Sequence, residues 1–285
     1  MSHISYVNGE YIDHKNASVS IDDRGYVFSD GVYEVVLIIN NCLLDWEEHC
    51  TRLRNSIAGL KINYNFTDSE LADTVNKLLE KNNLKSAMLY LQITRGVAKR
   101  NHSFPDKNVL PSVVMTVYPC DLPSGDKYQK GGSAITTADL RWKKRNYKTI
   151  SLLPNILAKQ EAVDASADEA ILIEDTGIVT EGSAANFFII NDKGQVRTHP
   201  ANDSILGGIT RIGILQVARE NNIEIIEQPF NKAEMMEAKE AFITSTTKHI
   251  MPIVKIDGKD IGDGTVGDVT QNLMKLYREY INKQI

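Results

Sequence analysis

Twelve residues, DLPSGDKYQKGG (121–132), hold glycine, serine, proline and charge and almost nothing that a core would bury. Chains part into domains at stretches of this kind, because few contacts cross them. The 285-residue chain is therefore expected to fold as two domains, 1–120 and 121–285.

Both halves mix strand and helix patterns. Residues 4–45 alternate short β-rich runs with turn signals, ISYVNGEYI and then VYEVVLIINNCLLDW about an Asn-Asn turn, which predicts hairpins. EEHCTRLRNSIAGL (47–60) sets Cys50, Leu53, Ile57 and Leu60 at helical spacing, and DSELADTVNKLLEKNN (68–83) does the same behind an Asp cap. AMLYLQITRG (87–96) and SVVMTVYPC (112–120) read as strands around the polar loop VAKRNHSFPDKN. In the second half SAITTADLRW reads as a strand and ILAKQEAVDASA as a helix. EAILIEDTGIVTEG and NFFIINDKGQVRTH each read as strand–turn–strand. GITRIGILQVARENN (208–222) is an amphipathic helix, strands come next near 223–227 and 241–245, and VGDVTQNLMKLYREYINKQ closes the chain as a helix. Two mixed α/β domains without a fixed-period repeat is the expected organisation.

Composition removes several function classes. The formal charge is −5 and the pI about 5.7, the opposite of the basic footprint of a nucleic-acid binder. Cys42, Cys50 and Cys120 form no CxxC pair and lie away from any His cluster, so neither a metal site nor a disulfide framework is expected. A low, odd cysteine count fits a reducing compartment, the cytoplasm. No basic segment followed by an apolar one opens the chain, and VVLII (35–39), the longest apolar run, is too short to span a bilayer.

Four stretches carry chemistry. LGGITRIGIL (206–215) opens a helix with two glycines and a threonine. Its free backbone N–H groups suit an anion such as phosphate, or the glycines only loosen a loop. It has neither the Walker ending nor GxGxxG spacing, so nucleotide fingerprints are not met. TSTTKHI (244–250) offers four consecutive hydroxyls to the same anion, or caps the next helix. In TEGSAANFF (180–188), Glu181 sits beyond the turn Asp175-Thr176-Gly177 among small residues. There it either holds a protonated heteroaromatic nitrogen or stands exposed at a strand end. RWKKRNYK (141–148) packs five basic side chains into eight positions: a patch for an acidic partner, a solvated face, or cover for one reactive lysine.

Taken together, EGSAANFF, VRT and LGGITR match a long pattern with fixed gaps through Glu181, Asn186, Phe188, Val196, Thr198, Leu206, Gly208, Ile209 and Arg211. The chain resembles the class IV pyridoxal-phosphate aminotransferases. FSDGVYEVV, EEHCTRL, TRGVAKRNHSFP, KTISLLPNILAKQEA, THPANDSILGGITR and FITSTTKHI resemble the D-amino acid branch of that family from about residue 5 to the end.

The resemblance implies a two-domain, fold-type IV architecture, a smaller N-terminal α/β domain and a larger C-terminal α/β pseudo-barrel that binds pyridoxal 5'-phosphate. Lys148, in the K-[ST]-x-x-L-L context of KTISLL, is implied as the Schiff-base lysine and the catalytic acid–base, with Lys143 and Lys144 solvated. Glu181 is implied as the partner of the pyridine nitrogen. Arg52, Ile209, Thr210, Ser245 and Thr246 are implied around the phosphate, and Leu206 against the ring. Tyr33, Arg100 and His102 are implied to trap the substrate carboxylate, with Thr247 beside them and Arg100 and His102 reaching the neighbouring subunit's site in a homodimer. The implied substrates are D-amino acids and 2-oxo acids, D-alanine and 2-oxoglutarate foremost, with no nucleic acid or membrane partner. A branched-chain L-aminotransferase, an aminodeoxychorismate lyase and a catalytically silent binding protein stand as alternatives. Two residues depart from the family pattern: Ser29 replaces a common glycine, and Gly207 a bulkier residue in the phosphate loop.

Overall fold

A computed structural model describes residues 3–285, and contacts divide the chain into two compact units. The first holds the chain through Leu122, with Tyr147–Ser151 and Ile285. The second holds Pro123–Asn146 and Leu152–Gln284. The division thus differs from the expected one at residue 120, chiefly because Tyr147–Ser151 pair with a strand of the first unit.

That unit runs β1 (Ile4–Val7), β2 (Glu10–Asp13), α1 (Arg24–Phe28), β3 (Gly31–Ile39), β4 (Cys42–Leu43), α2 (Trp46–Gly59), α3 (Asp68–Asn82), β5 (Ala87–Thr94) and β6 (Ser112–Pro119). Its strands form one antiparallel sheet in the order β2-β1-β6-β5-β3-β4. The β3–β4 hairpin turns on Asn40 and Asn41, both at positive φ, as a tight two-residue turn requires. Strand periodicity sends Val32, Val36 and Ile38, Ala87 to Ile93 at alternate positions, and Val113, Met115 and Val117 into one core with Leu53, Ile57, Leu71, Val75 and Leu78 of α2 and α3. Each of these side chains larger than alanine contributes roughly 1.5–3 kcal/mol on full burial.

Helix α3 is capped by Thr67 rather than Asp68, in a reciprocal capping box with Glu70. Helix α1 replaces part of the expected hairpin run. It is one turn long, too short for a periodic signal, and is capped by Asp23. It ends on Ser29 in the left-handed region (φ 57), a conformation that costs a serine roughly 1 kcal/mol more than a glycine.

The second unit runs α4 (Asp126–Lys130), β7 (Gly132–Ala138), α5 (Leu153–Asp164), β8 (Glu169–Ile173), β9 (Ile178–Gly182), β10 (Asn186–Ile190), β11 (Val196–Thr198), α6 (Ile209–Glu220), β12 (Ile225–Glu227), β13 (Phe230–Asn231), α7 (Lys232–Met236), β14 (Glu240–Ser245), β15 (His249–Ile256), β16 (Lys259–Asp260) and α8 (Asp268–Asn282). A mixed sheet orders nine strands as β12-β11-β10-β14-β15-β7-β8-β9-β13, with β16 added on β15. The pairs β15–β7, β7–β8 and β11–β12 are parallel. Phe187, Phe230, Ile243, Met251 and Ile253 are central to its core.

The TSTT run ends β14 with Thr244 and Ser245 and turns into β15 through Thr246 and Thr247, so it caps no helix. Pro252 lies inside β15, and proline masks a strand in sequence. The second unit also includes α4, one turn of helix inside the expected linker. Among the described residues no helix is long and apolar enough to cross a membrane.

Candidate active site

In the first unit β3 sends neighbouring residues to opposite faces. Glu34 turns toward α2, where His49 Nδ1 donates to its Oε2 at 2.7 Å. Arg52 grips both its oxygens, Nε on Oε1 at 2.8 Å and Nη2 on Oε2 at 2.7 Å. That two-point contact fixes the plane of a guanidinium, a geometry matched to anions. Tyr33 faces the other way, beside Tyr90.

The segment Tyr147–Ser151 runs along β3: Tyr33 N–H donates to Lys148 C=O at 3.0 Å, and Ile150 N–H to Gly31 C=O at 3.1 Å. Lys148 N–H in turn donates to Ser56 Oγ at 3.0 Å. Gly59 leaves room for the Tyr147 ring, which an added Cβ would meet at 2.4 Å. With its backbone clamped, Lys148 sets its Nζ 4.3 Å from the centre of the Tyr33 ring.

Arg100 and His102 lie in the loop after β5, both exposed and both against Phe28, at 5.2 and 5.5 Å from its ring. Arg24 shapes this loop, donating to the carbonyls of Asn101 at 2.6 Å and Ser103 at 3.3 Å. Arg24 and Arg95 share Asp30; burial alone would raise that carboxyl, and the two guanidiniums bring it below its ordinary value.

Glu34 yields a prediction. Burial pushes its pKa up, but Arg52 and His49 more than offset this and hold it at about 2 instead of 4.5. A carboxylate whose pKa falls on folding contributes stability above its unfolded value and loses it as pH drops toward the folded one. Between about pH 5 and pH 2 this residue is expected to withdraw about 3 kcal/mol. Thermal unfolding across that range should show a shallower acid limb for Glu34→Gln than for wild type. Parallel limbs would refute the assignment.

In the second unit Glu181, at the end of β9, is buried (4% exposed) and surrounded by donors. Asn186 Nδ2 reaches its Oε2 at 2.8 Å, Leu206 N–H lies 3.2 and 3.3 Å from its two oxygens, and Arg141 Nη1 donates to Oε1. Burial raises its pKa against the pull of Arg141 and of the Leu206 N–H. Asn186 also donates to Leu206 C=O at 2.8 Å, which binds the loop before α6 to β10. A Cβ on Gly208 would lie 2.1 Å from Asn186 Oδ1, so only glycine permits this approach; at Gly207 an added Cβ meets nothing within 4 Å. Helix α6 then begins at Ile209 and Thr210 with no side-chain cap.

Ser245 ends β14, and Thr246 and Thr247 form the next turn, closed by Lys248 N–H on Ser245 C=O at 3.2 Å. The neighbouring Thr244 Oγ1 is buried and has no hydrogen-bond partner among the described residues.

The basic run departs from the expected solvated lead-in. Arg145 is buried and the Arg141 side chain is only 8% exposed: Arg141 chelates Asp139 at 2.9 and 2.7 Å, and Arg145 pairs with Glu174. Lys143 and Lys144 are exposed, Lys144 with Asp203 at 2.6 Å. Arg141 had no distinguishing mark inside RWKKRNYK; Asp139, two residues before it, was the available signal.

Residues 31–256 match the family model described as Amino-transferase class IV. A D-alanine aminotransferase of Staphylococcus haemolyticus is 40% identical over 279 residues, 98% of each chain. Another of Bacillus licheniformis is 41% identical over 266 residues, 93% of each. Among solved structures, the T.th. branched-chain amino acid aminotransferase with pyridoxamine 5'-phosphate superimposes with a TM-score of 0.90 at 25% identity, covering 100% of this chain and 96% of that one.

Proposed function

The chain belongs to the amino-transferase class IV family, and we propose that it moves the amino group of a D-amino acid, D-alanine foremost, onto 2-oxoglutarate, giving a 2-oxo acid and D-glutamate. It is a pyridoxal phosphate-dependent transaminase. The D-amino acid reading rests on near full-length 40% identity to a D-alanine aminotransferase, against 25% to the branched-chain enzyme.

The residues fit the cofactor. Glu181 is an acceptor for a protonated ring nitrogen, with Leu206 against the ring. The uncapped start of α6, Thr210, Ser245, Thr246 and Arg52 are donors for its phosphate, and the partnerless Thr244 hydroxyl stands at the same strand end. When bound, pyridoxal phosphate supplies an aldehyde that captures amines and a ring that takes up electrons.

Lys148 would hold that aldehyde, and its free amine would take and return the substrate's α-proton. Tyr33, Arg100 and His102, with Thr247, hold the α-carboxylate, so the amino acid is presented in one hand only. We place Arg100 and His102 at the site of a second copy in a homodimer. The exposed Tyr26, Phe104 and Leu110 support that contact, since large apolar side chains gathered near one loop favour a partner. The domains are read as 1–120 and 121–285 with Tyr147–Ser151 lent to the first, and Glu181 and the α6 start belong to the second. Three cysteines held in no disulfide suit the cytoplasm.

Initial rates with D- and L-alanine test this reading. A misplaced carboxylate forfeits charge-assisted hydrogen bonds of about 1.5–3 kcal/mol, so D-alanine should react roughly 10–100-fold faster. Faster L-turnover would make it a branched-chain type enzyme instead.

A further inference from the structure

Glu169, the first residue of β8, is fully buried, yet the chemistry above does not use it. Its Oε1 accepts from Ser183 Oγ and, at 3.0 Å, from Ala170 N–H. Its Oε2 takes Lys248 Nζ at 3.3 Å across 79 positions of sequence. Ser183 lies in the β9–β10 turn two residues after Glu181. Lys248 lies in the β14–β15 turn directly after Thr246 and Thr247. One carboxylate therefore touches both turns.

The surroundings are built for this contact. A Cβ on Gly182 would stand 3.2 Å from Glu169 Cγ, so glycine lets the carboxylate lie close to the turn. Asn155 of α5 donates to Ser183 C=O at 2.7 Å and holds the turn from its other end. Among the described residues Lys248 is the cation within ion-pair distance of Glu169, and Asp168 also acts on it electrostatically. A fully buried carboxylate with one cation is a poor source of net stability, because desolvation cancels most of the attraction. What such a pair supplies is a single relative placement of the elements it joins.

We propose that Glu169 and Lys248 are positioning residues that lock the β9–β10 and β14–β15 turns together, so that Glu181 and Ser245–Thr247 meet cofactor and substrate in one arrangement. This rests on the assignment of Glu181 and Thr246 to the cofactor. Neither Glu169 nor Lys248 touches the reacting atoms.

Lys248→Met, Lys248→Arg and Glu169→Gln test the lock. Amide exchange is read on the apo-protein, inorganic phosphate binding on the same protein, and pyridoxal phosphate binding and steady-state kinetics on the holoenzyme. Lys248→Met is expected to speed exchange in both turns and to weaken phosphate and cofactor binding about tenfold, as small misplacements do. It should raise KM for the amino donor more than it lowers kcat. Lys248→Arg should recover most of each effect, and Glu169→Gln should loosen the same two turns. Unchanged exchange at 183–185 in Lys248→Met would overturn the lock. A lowered melting temperature with wild-type cofactor affinity would overturn its positioning role. Wild-type protein that binds neither phosphate nor cofactor would overturn the site assignment instead, and the exchange data would still decide whether the turns are coupled.

Discussion

Lys148→Ala is expected to lower the transamination rate by about 10²–10⁴-fold at the least, the usual share of a positioned acid–base group. The fold should survive, because Lys148 supports it through backbone groups. Its N–H on Ser56 Oγ and its C=O under Tyr33 N–H are indifferent to the side chain. What disappears is the amine 4.3 Å from the Tyr33 ring. Borohydride should fix pyridoxal phosphate to the wild-type chain and not to the variant, which intact-mass measurement reads directly. A variant that still gains the cofactor mass would shift the role to another lysine, Lys143 or Lys144 first, although both are exposed and Lys144 engages Asp203.

Glu181→Gln should be nearly as severe. Every group on this carboxylate is a donor: the Arg141 guanidinium, the Asn186 amide and the Leu206 N–H. A glutamine places an NH₂ among them and withdraws the charge that a protonated ring nitrogen needs. A fall in kcat of about 10²–10³-fold is expected, as when a single electrostatic contact to the developing charge is lost. Arg141 keeps Asp139 but loses its second anion inside the protein, at a cost of about 2 kcal/mol. Melting temperature and kcat should therefore fall together. A glutamine variant with wild-type kcat would remove Glu181 from the chemistry.

How much of this was readable in the sequence depended on the length of each signal. Helices α2, α3, α6 and α8 and the long strands show because alternation or helical spacing persists over many residues. Asn40-Asn41 shows because few residues tolerate that turn. One-turn helices α1 and α4 are too short to repeat a period, and Pro252 hides β15. The spaced pattern from Glu181 to Arg211 singled out the acidic residue and the loop before α6, which Leu206 N–H and Asn186 join, since both lie within contiguous blocks. The partners that hold them do not. Glu34, Ser56 and Glu169 are ordinary residues made important by a neighbour elsewhere in the chain, and Arg141 is set apart from the exposed Lys143 by its pairing with Asp139 and Glu181.

The alternation along β3 bears on how this protein tolerates change. Tyr33 and Glu34 are adjacent in sequence yet serve opposite faces, one beside Lys148 and the other beneath the helix that carries Arg52. A one-residue insertion or deletion would exchange those duties along the whole strand, so β3 can drift in identity but not in length. A library aimed at altered substrate preference should vary Tyr33 and keep the buried Val32, Glu34, Val36 and Leu37, on which the fold rests.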